Sequence, residues 1–474
     1  MGIFGRIDTF ITWFDGVVWG LPLIILILVT GIFLTVRLGL LQVRYLGKAL
    51  KFMVKNEEDG HGEVTSFGAL CTALSATIGT GNIVGVATAI SAGGPGALFW
   101  MILTAFLGMA TKYSEGLLAV KYRTIDEDGH VLGGPFYYIE NGMGVKFRWL
   151  AKIFAFFGAG VGLFGIGTFT QVNGISSAVR NFFDPNMAHT VALFGNDYSW
   201  ATVISCLVLT VCVGMVVLGG IKRIAKVSEI VVPFMAVLYV VLAVIIMVTN
   251  ITAIPAAIVT IVKSAFTGSA LAGGAMGSMI VAMQKGIARG IFSNEAGLGS
   301  APIAAAAVQT DYPVKQGLVS MLGTVIDTLI ICTMTGLAIV LTGTWDMGLE
   351  GVAVTTKAFQ LGLPFPNQVA SFILMVCLVF FAFTTILGWD YYSERCLEYL
   401  TGHKKAVVKA YRWLYILAVF IGPFMTVSAV WTIADIFNGL MAIPNLIALL
   451  ALSGVIAAET KSYFARLSLG KIKG

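Results

Sequence analysis

Charged residues are scarce in this chain of 474 residues, and their scarcity excludes most classes of soluble protein. Asp, Glu, Lys and Arg together make up 11% of the residues, whereas 58% are hydrophobic. Soluble domains carry about 25% charged residues, so a soluble protein of this length would have too few charges to cover its surface. The mean hydropathy of +0.90 agrees. The composition therefore predicts an all-α polytopic membrane protein embedded in a lipid bilayer.

Cysteine and histidine are also few, and their arrangement excludes a disulfide framework and a metal centre. The six Cys lie in or beside apolar stretches and form no CxxC pair, which is typical of small core residues. The four His lie in separate polar connections. We therefore expect no cofactor. The sequence has no basic run typical of a nucleic-acid tail, and its N-terminus lacks the pattern of a removable signal peptide.

Signatures of catalysis and of other transport mechanisms are missing as well. The sequence contains no HExxH, no GxSxG and no cluster of titratable residues, which argues against a membrane enzyme. It has no P-loop, which argues against ATP-driven transport. A channel is the other alternative, but no repeated filter motif or ring-forming charge pattern is present. These absences favour a secondary transporter.

Eleven apolar stretches are long enough to cross a membrane, since a spanning helix needs about 20 mostly apolar residues. The first, third, fifth, seventh and ninth connections, counted with the adjoining ends of the spans, and the C-terminal tail contain 26 of the 30 Lys and Arg residues. Because basic residues collect in cytoplasmic connections, this bias predicts a cell-membrane protein with its N-terminus outside and its C-terminus in the cytoplasm. The predicted spans are residues 17–38, 66–91, 95–121, 150–181, 198–220, 227–250, 262–285, 317–342, 369–397, 406–426 and 430–457.

Two spans are interrupted by small residues, at 75–82 (SATIGTGN) and 267–278 (TGSALAGGAMGS). When the first span is set aside, these two open two groups of five spans with opposite orientations. Glycine-interrupted helices in corresponding positions of inverted halves indicate the binding site of a transporter, although close helix packing is the alternative explanation. The predicted units are an N-terminal helix with its connection, two inverted repeats and a cytoplasmic tail, namely residues 1–60, 61–250, 251–460 and 461–474.

Four sequence blocks resemble the alanine/glycine:cation symporter family. They are residues 93–101 (GGPGALFWM), 108–115 (GMATKYSE), 133–140 (GGPFYYIE) and 292–302 (FSNEAGLGSAP). The resemblance implies a Na⁺-coupled importer of small neutral amino acids, chiefly alanine and glycine. It also implies a LeuT-type fold, in which a 5+5 inverted repeat follows one additional N-terminal helix. We expect the protein to be a monomer.

The two interrupted helices contain the first candidate substrate ligands. Glycine lets backbone amides approach a carboxylate, and freed carbonyls can accept an ammonium group. Core packing is the alternative role for Met276. The candidates in these helices are Gly79, Thr80, Gly81, Asn82, Gly273, Gly274, Ala275 and Met276.

Three further substrate candidates lie in other spans. Gln171 has a side-chain amide near the bilayer centre, where a polar group must be paired. The family resemblance favours a contact with substrate, and a hydrogen bond to another helix is the alternative. Phe383 and Trp389 are candidates for closing the pocket, with packing against core or lipid as the alternative.

Adjacent hydroxyl groups indicate a candidate sodium site. The resemblance places Thr384 and Thr385 opposite the backbone carbonyls between Ser75 and Ile78, and oxygen ligands suit this ion. The alternative is that two neighbouring threonines bond only to the preceding helical turn.

A carboxylate near the membrane midplane indicates a second candidate cation site. Asp327 must be paired, protonated or bound to an ion at that depth, and Asn82 and Thr77 are its candidate partners. A proton-carrying role and a purely structural hydrogen bond are the alternatives.

Two expectations concern the cytoplasmic side. Glu115, Glu229, Asp390 and Glu394 fall near the cytoplasmic ends of spans, so we expect them to be solvated or paired with Lys or Arg. Residues 286–316 are predicted to form a connection in which the sequence Ser293-Asn294-Glu295 begins a short helix. We expect this segment to pack under the bundle as part of an inner gate.

Overall fold

The computed structural model describes residues 3–55, 60–126, 130–193, 196–267, 275–424 and 427–470. Helices dominate these residues. The helices of the N-terminal half are α1 (Ile3–Val18), α2 (Leu21–Arg37), α3 (Leu41–Arg44), α4 (Leu46–Lys55), α5 (Ser66–Thr77), α6 (Val86–Gly93), α7 (Gly96–Lys121), α8 (Pro135–Tyr137), α9 (Arg148–Phe164), α10 (Phe169–Phe183), α11 (Trp200–Val217) and α12 (Gly220–Thr249). Those of the C-terminal half are α13 (Ile254–Thr267), α14 (Ala275–Asn294), α15 (Ala301–Ala306), α16 (Pro313–Thr324), α17 (Thr333–Thr342), α18 (Val352–Gly362), α19 (Asn367–Thr401), α20 (Lys405–Ile421), α21 (Val427–Ala451) and α22 (Ser453–Ser468).

Shorter elements join these helices. Two antiparallel hairpins lie between α7 and α8 and between α10 and α11. Their strands are β1 (Thr124–Ile125) with β2 (Val131–Leu132), and β3 (Thr190–Leu193) with β4 (Asn196–Ser199). Short 3₁₀ turns occupy Val145–Phe147, Ile251–Ala253, Thr344–Asp346 and Gly422–Phe424, and π-helical turns occupy Gly81–Gly85, Tyr138–Gly142 and Val325–Cys332.

Long helices form because backbone groups in lipid must be satisfied within the segment itself. On α12, Ile230, Phe234 and Val237 follow a helical spacing and are all exposed. The opposite face, with Met235 and Tyr239, is buried. An apolar outer face of this kind would be unfavourable in water and suits contact with lipid, so the surface agrees with the composition.

Nine helices in the described part of the chain are long and apolar enough to span a membrane. The pair Ser66–Thr77 and Gly81–Gly93 also qualifies but is bent by 52° at the break. These ten coincide with ten of the predicted spans and confirm an all-α polytopic membrane protein. The remaining predicted span, 262–285, overlaps α13 and α14, and residues 268–274 lie outside the described part. The count of eleven, the inverted repeat and the domain boundaries therefore stay predictions.

Helix α14 continues nine residues beyond the predicted end of its span. Ser293 and Asn294 therefore end a long helix, and the expectation that they begin a short one was wrong. Gly286 packs against Ala97, and Gly290 packs against Met101. Small residues four positions apart let two membrane helices approach closely, which explains why α14 extends along α7.

This packing also corrects the position of three basic residues. Lys285 lies beside Gly93, at the end of α7 opposite Lys121, and Arg289, one turn further along α14, follows it. Lys112 is buried inside the α7 span, with 2% of its surface exposed. All three are among the 26 Lys and Arg residues from which the orientation was predicted, and the structure places none of them in a cytoplasmic connection. The remaining basic residues keep the direction of the bias, and the orientation stays a prediction.

Candidate functional site

The first helix break follows α5. Ile78 leaves the helix with an extended backbone, at φ −76° and ψ 95°. The N–H of Gly79 donates to Oδ1 of Asn82 (2.8 Å), and the N–H of Thr80 donates to Oε1 of Gln171 on α10 (3.2 Å). Side chains thus satisfy two amides that the break frees, as backbone at membrane depth requires. A substrate carboxylate would have to replace these partners.

Glycine is required at the break because neighbouring groups come very close. A Cβ added to Gly79 would lie 2.4 Å from Oγ1 of Thr385, and one added to Gly81 would lie 3.3 Å from Cα of Ser293. The first contact belongs to α19 and the second to α14. The break therefore lies between these two helices, and a larger residue at Gly79 would displace the Thr385 hydroxyl.

The two threonines of the candidate sodium site face different neighbours. Oγ1 of Thr385 lies 3.2 Å from the carbonyl of Ile78 and 3.0 Å from the carbonyl of Phe381 in its own helix. It therefore makes the predicted contact with the break and also the alternative bond to the preceding turn. Oγ1 of Thr384 contacts Sδ of Met235 at 3.5 Å. The hydroxyl of Ser75 donates to a carbonyl of its own helix. The structure therefore brings Thr385 and Ile78 together and directs Thr384 elsewhere; the ion-binding role stays a prediction.

Asp327 lies in a π-helical turn and is completely buried. Its Oδ1 accepts from Nδ2 of Asn82 (2.7 Å), and its Oδ2 accepts from the hydroxyls of Ser293 (2.9 Å) and Thr328 (2.6 Å). The predicted pairing with Asn82 is present, whereas the Thr77 hydroxyl bonds to carbonyls of its own helix. Sequence reasoning missed Ser293 and Thr328. Such π-helical turns occur frequently at functional sites.

Gln171 and Thr80 form a polar contact at the centre of the molecule. Both residues are buried, and Gly174, one turn beyond Gln171, packs against the Thr80 methyl group. The Thr80 hydroxyl is a buried group without a hydrogen-bond partner among the described residues. Buried hydroxyls are usually paired, so this oxygen is available to a ligand.

The two aromatic candidates lie apart. The indole N–H of Trp389 donates to Oε1 of Glu295 at 2.8 Å, and the ring is fully buried. Phe383 lines an apolar cavity of about 670 Å³ together with Val179 and Val208. The structure does not bring Phe383 to the first break.

A second break, which the sequence analysis missed, lies between α14 and α15. Glu295, Gly297 and Gly299 all have positive φ (57°, 90° and 81°). The N–H of Gly297 donates to Oε1 of Glu115 at 3.1 Å, and the side chain of Asn445 donates to the same oxygen at 2.7 Å. A buried carboxylate on α7 therefore holds the unwound segment in place.

The expectations about carboxylates have different outcomes. Asp390 is buried and not solvated, and its Oδ1 has no hydrogen-bond partner among the described residues. Glu229 is half-buried and accepts from the Thr65 hydroxyl at 3.3 Å. Glu115 is buried and bound to the second break, so its placement near a solvated end was wrong. The reason is that the small residues of α14 and α15 bring the chain over α7 at that depth. Glu394 pairs with Arg395 (2.7 Å) and Arg412 (2.8 Å), which confirms the expected pairing.

A shared spacing could have revealed the second break. Glycines two positions apart occur both at Gly79 and Gly81 and at Gly297 and Gly299. The prediction instead placed the interruption at residues 267–278. Gly273 and Gly274 lie outside the described residues, as do the side chains of Ala275 and Met276 in the first turn of α14, so those four assignments stay untested.

The end of the molecule next to α5 is closed by backbone pairing. The N–H of Gln309 donates to the carbonyl of Val64 at 2.8 Å. The Arg123 guanidinium donates to the carbonyls of Ala306 (2.7 Å) and Val308 (2.6 Å). The segment before α5, which contains Val64, is thereby fixed to the segment after α15, which contains Gln309.

These features define a class of protein: a helical membrane carrier whose two interrupted helices meet at one buried polar site. A model of the sodium:alanine symporter family matches residues 5–473. The chain belongs to that family and is a sodium-coupled amino-acid symporter, not an enzyme.

Several relatives align with this chain over nearly its whole length. An uncharacterized transporter of Haemophilus influenzae is 54% identical over 98% of this chain and 97% of its own length. The sodium/alanine symporter AgcS of Methanococcus maripaludis is 47% identical over 94% of this chain and 95% of its own length. The amino-acid carrier protein AlsT of Bacillus subtilis is 37% identical over 91% and 87%, respectively.

Proposed function

We propose that the protein imports alanine and glycine together with Na⁺ by alternating access. The observation that carries this proposal is the buried polar group at the first break, where the Thr80 N–H donates to Gln171 and the Thr80 hydroxyl has no partner among the described residues. The substrate carboxylate takes the Thr80 amide from Gln171, and the side-chain amide of Gln171 then donates to the same carboxylate. The name of the relative AgcS supports alanine as the substrate.

Close packing around the site supports a small substrate. Gly79 contacts Thr385, Gly81 contacts Ser293 and Gly174 contacts Thr80, all near or below ordinary van der Waals distance for an added Cβ. Packing this tight opposes a bulky ligand at the break and favours a substrate with a short side chain. The side chains that bond directly to the first break, Asn82, Gln171 and Thr385, are neutral, which favours a neutral amino acid.

Two oxygen clusters support coupling to Na⁺. The hydroxyl oxygen of Thr385 lies 3.2 Å from the carbonyl oxygen of Ile78 and 3.0 Å from that of Phe381, which supports a cation bound among these neutral oxygens. At Asp327, the three neighbouring side chains act as donors, which fits an ionised carboxylate that only accepts hydrogen bonds. Its charge would balance a second cation, and Asn82 and the Ser293 hydroxyl could turn their oxygens toward it.

Alternating access requires the closed end to open. Release to the cytoplasm breaks the pairing of Val64 with Gln309 and the hydrogen bonds of Arg123 to Ala306 and Val308. These contacts join the two broken helices, so separating them exposes the site to that side. Substrate binding at the breaks is thereby linked to the contacts that close the gate.

Uptake into proteoliposomes tests the proposal directly. Labelled alanine, glycine, serine and glutamine are offered under imposed gradients of Na⁺, Li⁺ or H⁺. We expect accumulation of alanine and glycine with Na⁺ and much slower uptake of glutamine. Equal accumulation under a proton gradient without Na⁺ would contradict sodium coupling, and preferred uptake of glutamine would contradict the small-substrate assignment. Asp327→Asn should abolish Na⁺-driven accumulation.

A further inference from the structure

A polar cavity of about 440 Å³ lies between α10, α18 and α19. Its volume is within the usual range of small-molecule sites. Polar groups in its wall come from Asn181, Thr356, Gln360 and Ser371, and Lys357 is the one charged residue among the described lining residues. The cavity is distinct from the first break.

Two of the helices that line the cavity, α10 and α19, also contribute residues to the central site. On α10, Ala178 lines the cavity and Gln171 lies seven residues away, which is two turns on the same face and about 10 Å. On α19, Leu374 lines the cavity and Thr385 lies three turns further on the same face, about 16 Å away. A molecule in the cavity is therefore above the first break, on the continuous faces of two helices.

The third wall is attached to the broken helix itself. The hydroxyl of Thr355 on α18 donates to the carbonyl of Ile83 at 3.0 Å. Ile83 belongs to the π-helical turn that follows the break. The cavity and the central site are therefore connected through the π-helical turn Gly81–Gly85. The cavity lies on the side of the break away from the closed end at Val64.

We propose that this cavity is an outer binding site for the transported amino acid, occupied before the central site. The carboxylate of the substrate binds the Lys357 ammonium. Gln360 is held by a hydrogen bond from its amide to Oγ of Ser371 (2.8 Å), and its carbonyl oxygen accepts from the substrate ammonium. This inference rests on the proposed function for the identity of the ligand.

Charge favours a zwitterionic ligand over the coupling ion at this position. A lone ammonium in the wall repels Na⁺ and attracts a carboxylate, and no acidic residue lines the cavity among those the structure describes. The substrate ammonium therefore meets neutral acceptors only. The outer site should bind weakly and raise the local concentration of substrate, as charged clefts do.

Three substitutions and a transport assay test the outer site. Lys357→Gln removes the charge, Lys357→Arg keeps it, and Lys263→Gln removes an exposed lysine outside the cavity as the matched control. In sodium-driven uptake, we expect Lys357→Gln to raise the half-saturating alanine concentration by about tenfold with an unchanged maximal rate. The Arg variant and the control should stay within about twofold of wild type.

Binding by purified protein separates this inference from the proposed function. Saturation-transfer NMR of alanine is measured on Gln171→Ala, in which the central site is weakened, and on the double variant with Lys357→Gln. We expect weak residual binding in the first that is lost in the second. Equal residual binding in both, or identical uptake by Lys357→Gln and Lys263→Gln, would overturn the outer site. Alanine binding by wild type without sodium-driven uptake would instead refute the proposed function.

Discussion

The most informative perturbation removes one hydroxyl from the adjacent pair on α19. Thr385→Val keeps the branched shape of the side chain but deletes the oxygen that lies 3.2 Å from the Ile78 carbonyl. In the proposed site, the ion-bound state then loses one of its oxygen ligands. Losing such a partner costs about 1–3 kcal/mol, which corresponds to about a five- to hundredfold change in an equilibrium constant.

Thr384→Val is the matched comparison, because its hydroxyl faces Met235 and its own helix. The assay is the Na⁺ concentration that half-activates alanine uptake, measured together with the substrate-free melting temperature. We expect Thr385→Val to need about tenfold or more Na⁺, whereas Thr384→Val changes the curve by less than about twofold. Thr385→Ser should retain activation. Equal Na⁺ curves for the two Val variants would refute the reasoning from the Ile78 contact.

Three further predictions use other contacts. Gln171→Ala should weaken alanine affinity by about ten- to hundredfold, since a hydrogen bond to a charged group is worth about 1.5–3 kcal/mol; a large loss of substrate-free melting temperature with near-normal affinity would show a purely structural tie. Gly79→Ala should impair Na⁺ activation because its Cβ would lie 2.4 Å from Oγ1 of Thr385, whereas Gly85→Ala, with open space around it, should not. Hydrogen bonds to Glu398 and Glu63 raise the pKa of His130 from 6.5 to about 9. The protonated imidazole therefore stabilises the folded state below pH 6.5, and this contribution to the free energy of unfolding is lost as the pH rises through 9. The melting temperature should therefore fall between pH 6.5 and 9.5, and His130→Gln should reduce that fall.

The sequence predicted the polar residues of the first break well. Gly79, Thr80, Asn82 and Gln171 could be singled out because polar and glycine residues in an apolar span must satisfy each other or a ligand. The structure brings them together in that way. The pairing of Asn82 with Asp327, 245 residues apart, also followed from the need of a buried carboxylate for a partner.

The break after Asn294 was not predicted, and the reason is physical. The segment 267–278 contains four glycines and the shorter segment 295–300 contains two, so a simple count gives more weight to the first. What unwinds the chain after Asn294 is positive φ at three alternate residues, Glu295, Gly297 and Gly299, and Glu115 from another helix accepts from the N–H of Gly297. That contact depends on the close approach of α14 to α7, which no local pattern specifies.

Composition and periodicity by themselves determined that this is a helical membrane protein, because lipid permits few other arrangements of an apolar backbone. They also determined which spans contain polar groups that need partners. Only the tertiary structure decided which partner each group has: Thr385 reaches Ile78, whereas its neighbour Thr384 reaches Met235. Adjacent residues on a helix point about 100° apart, so the rotation of α19 against its neighbours, set by packing along the whole helix, selects the hydroxyl that faces the site.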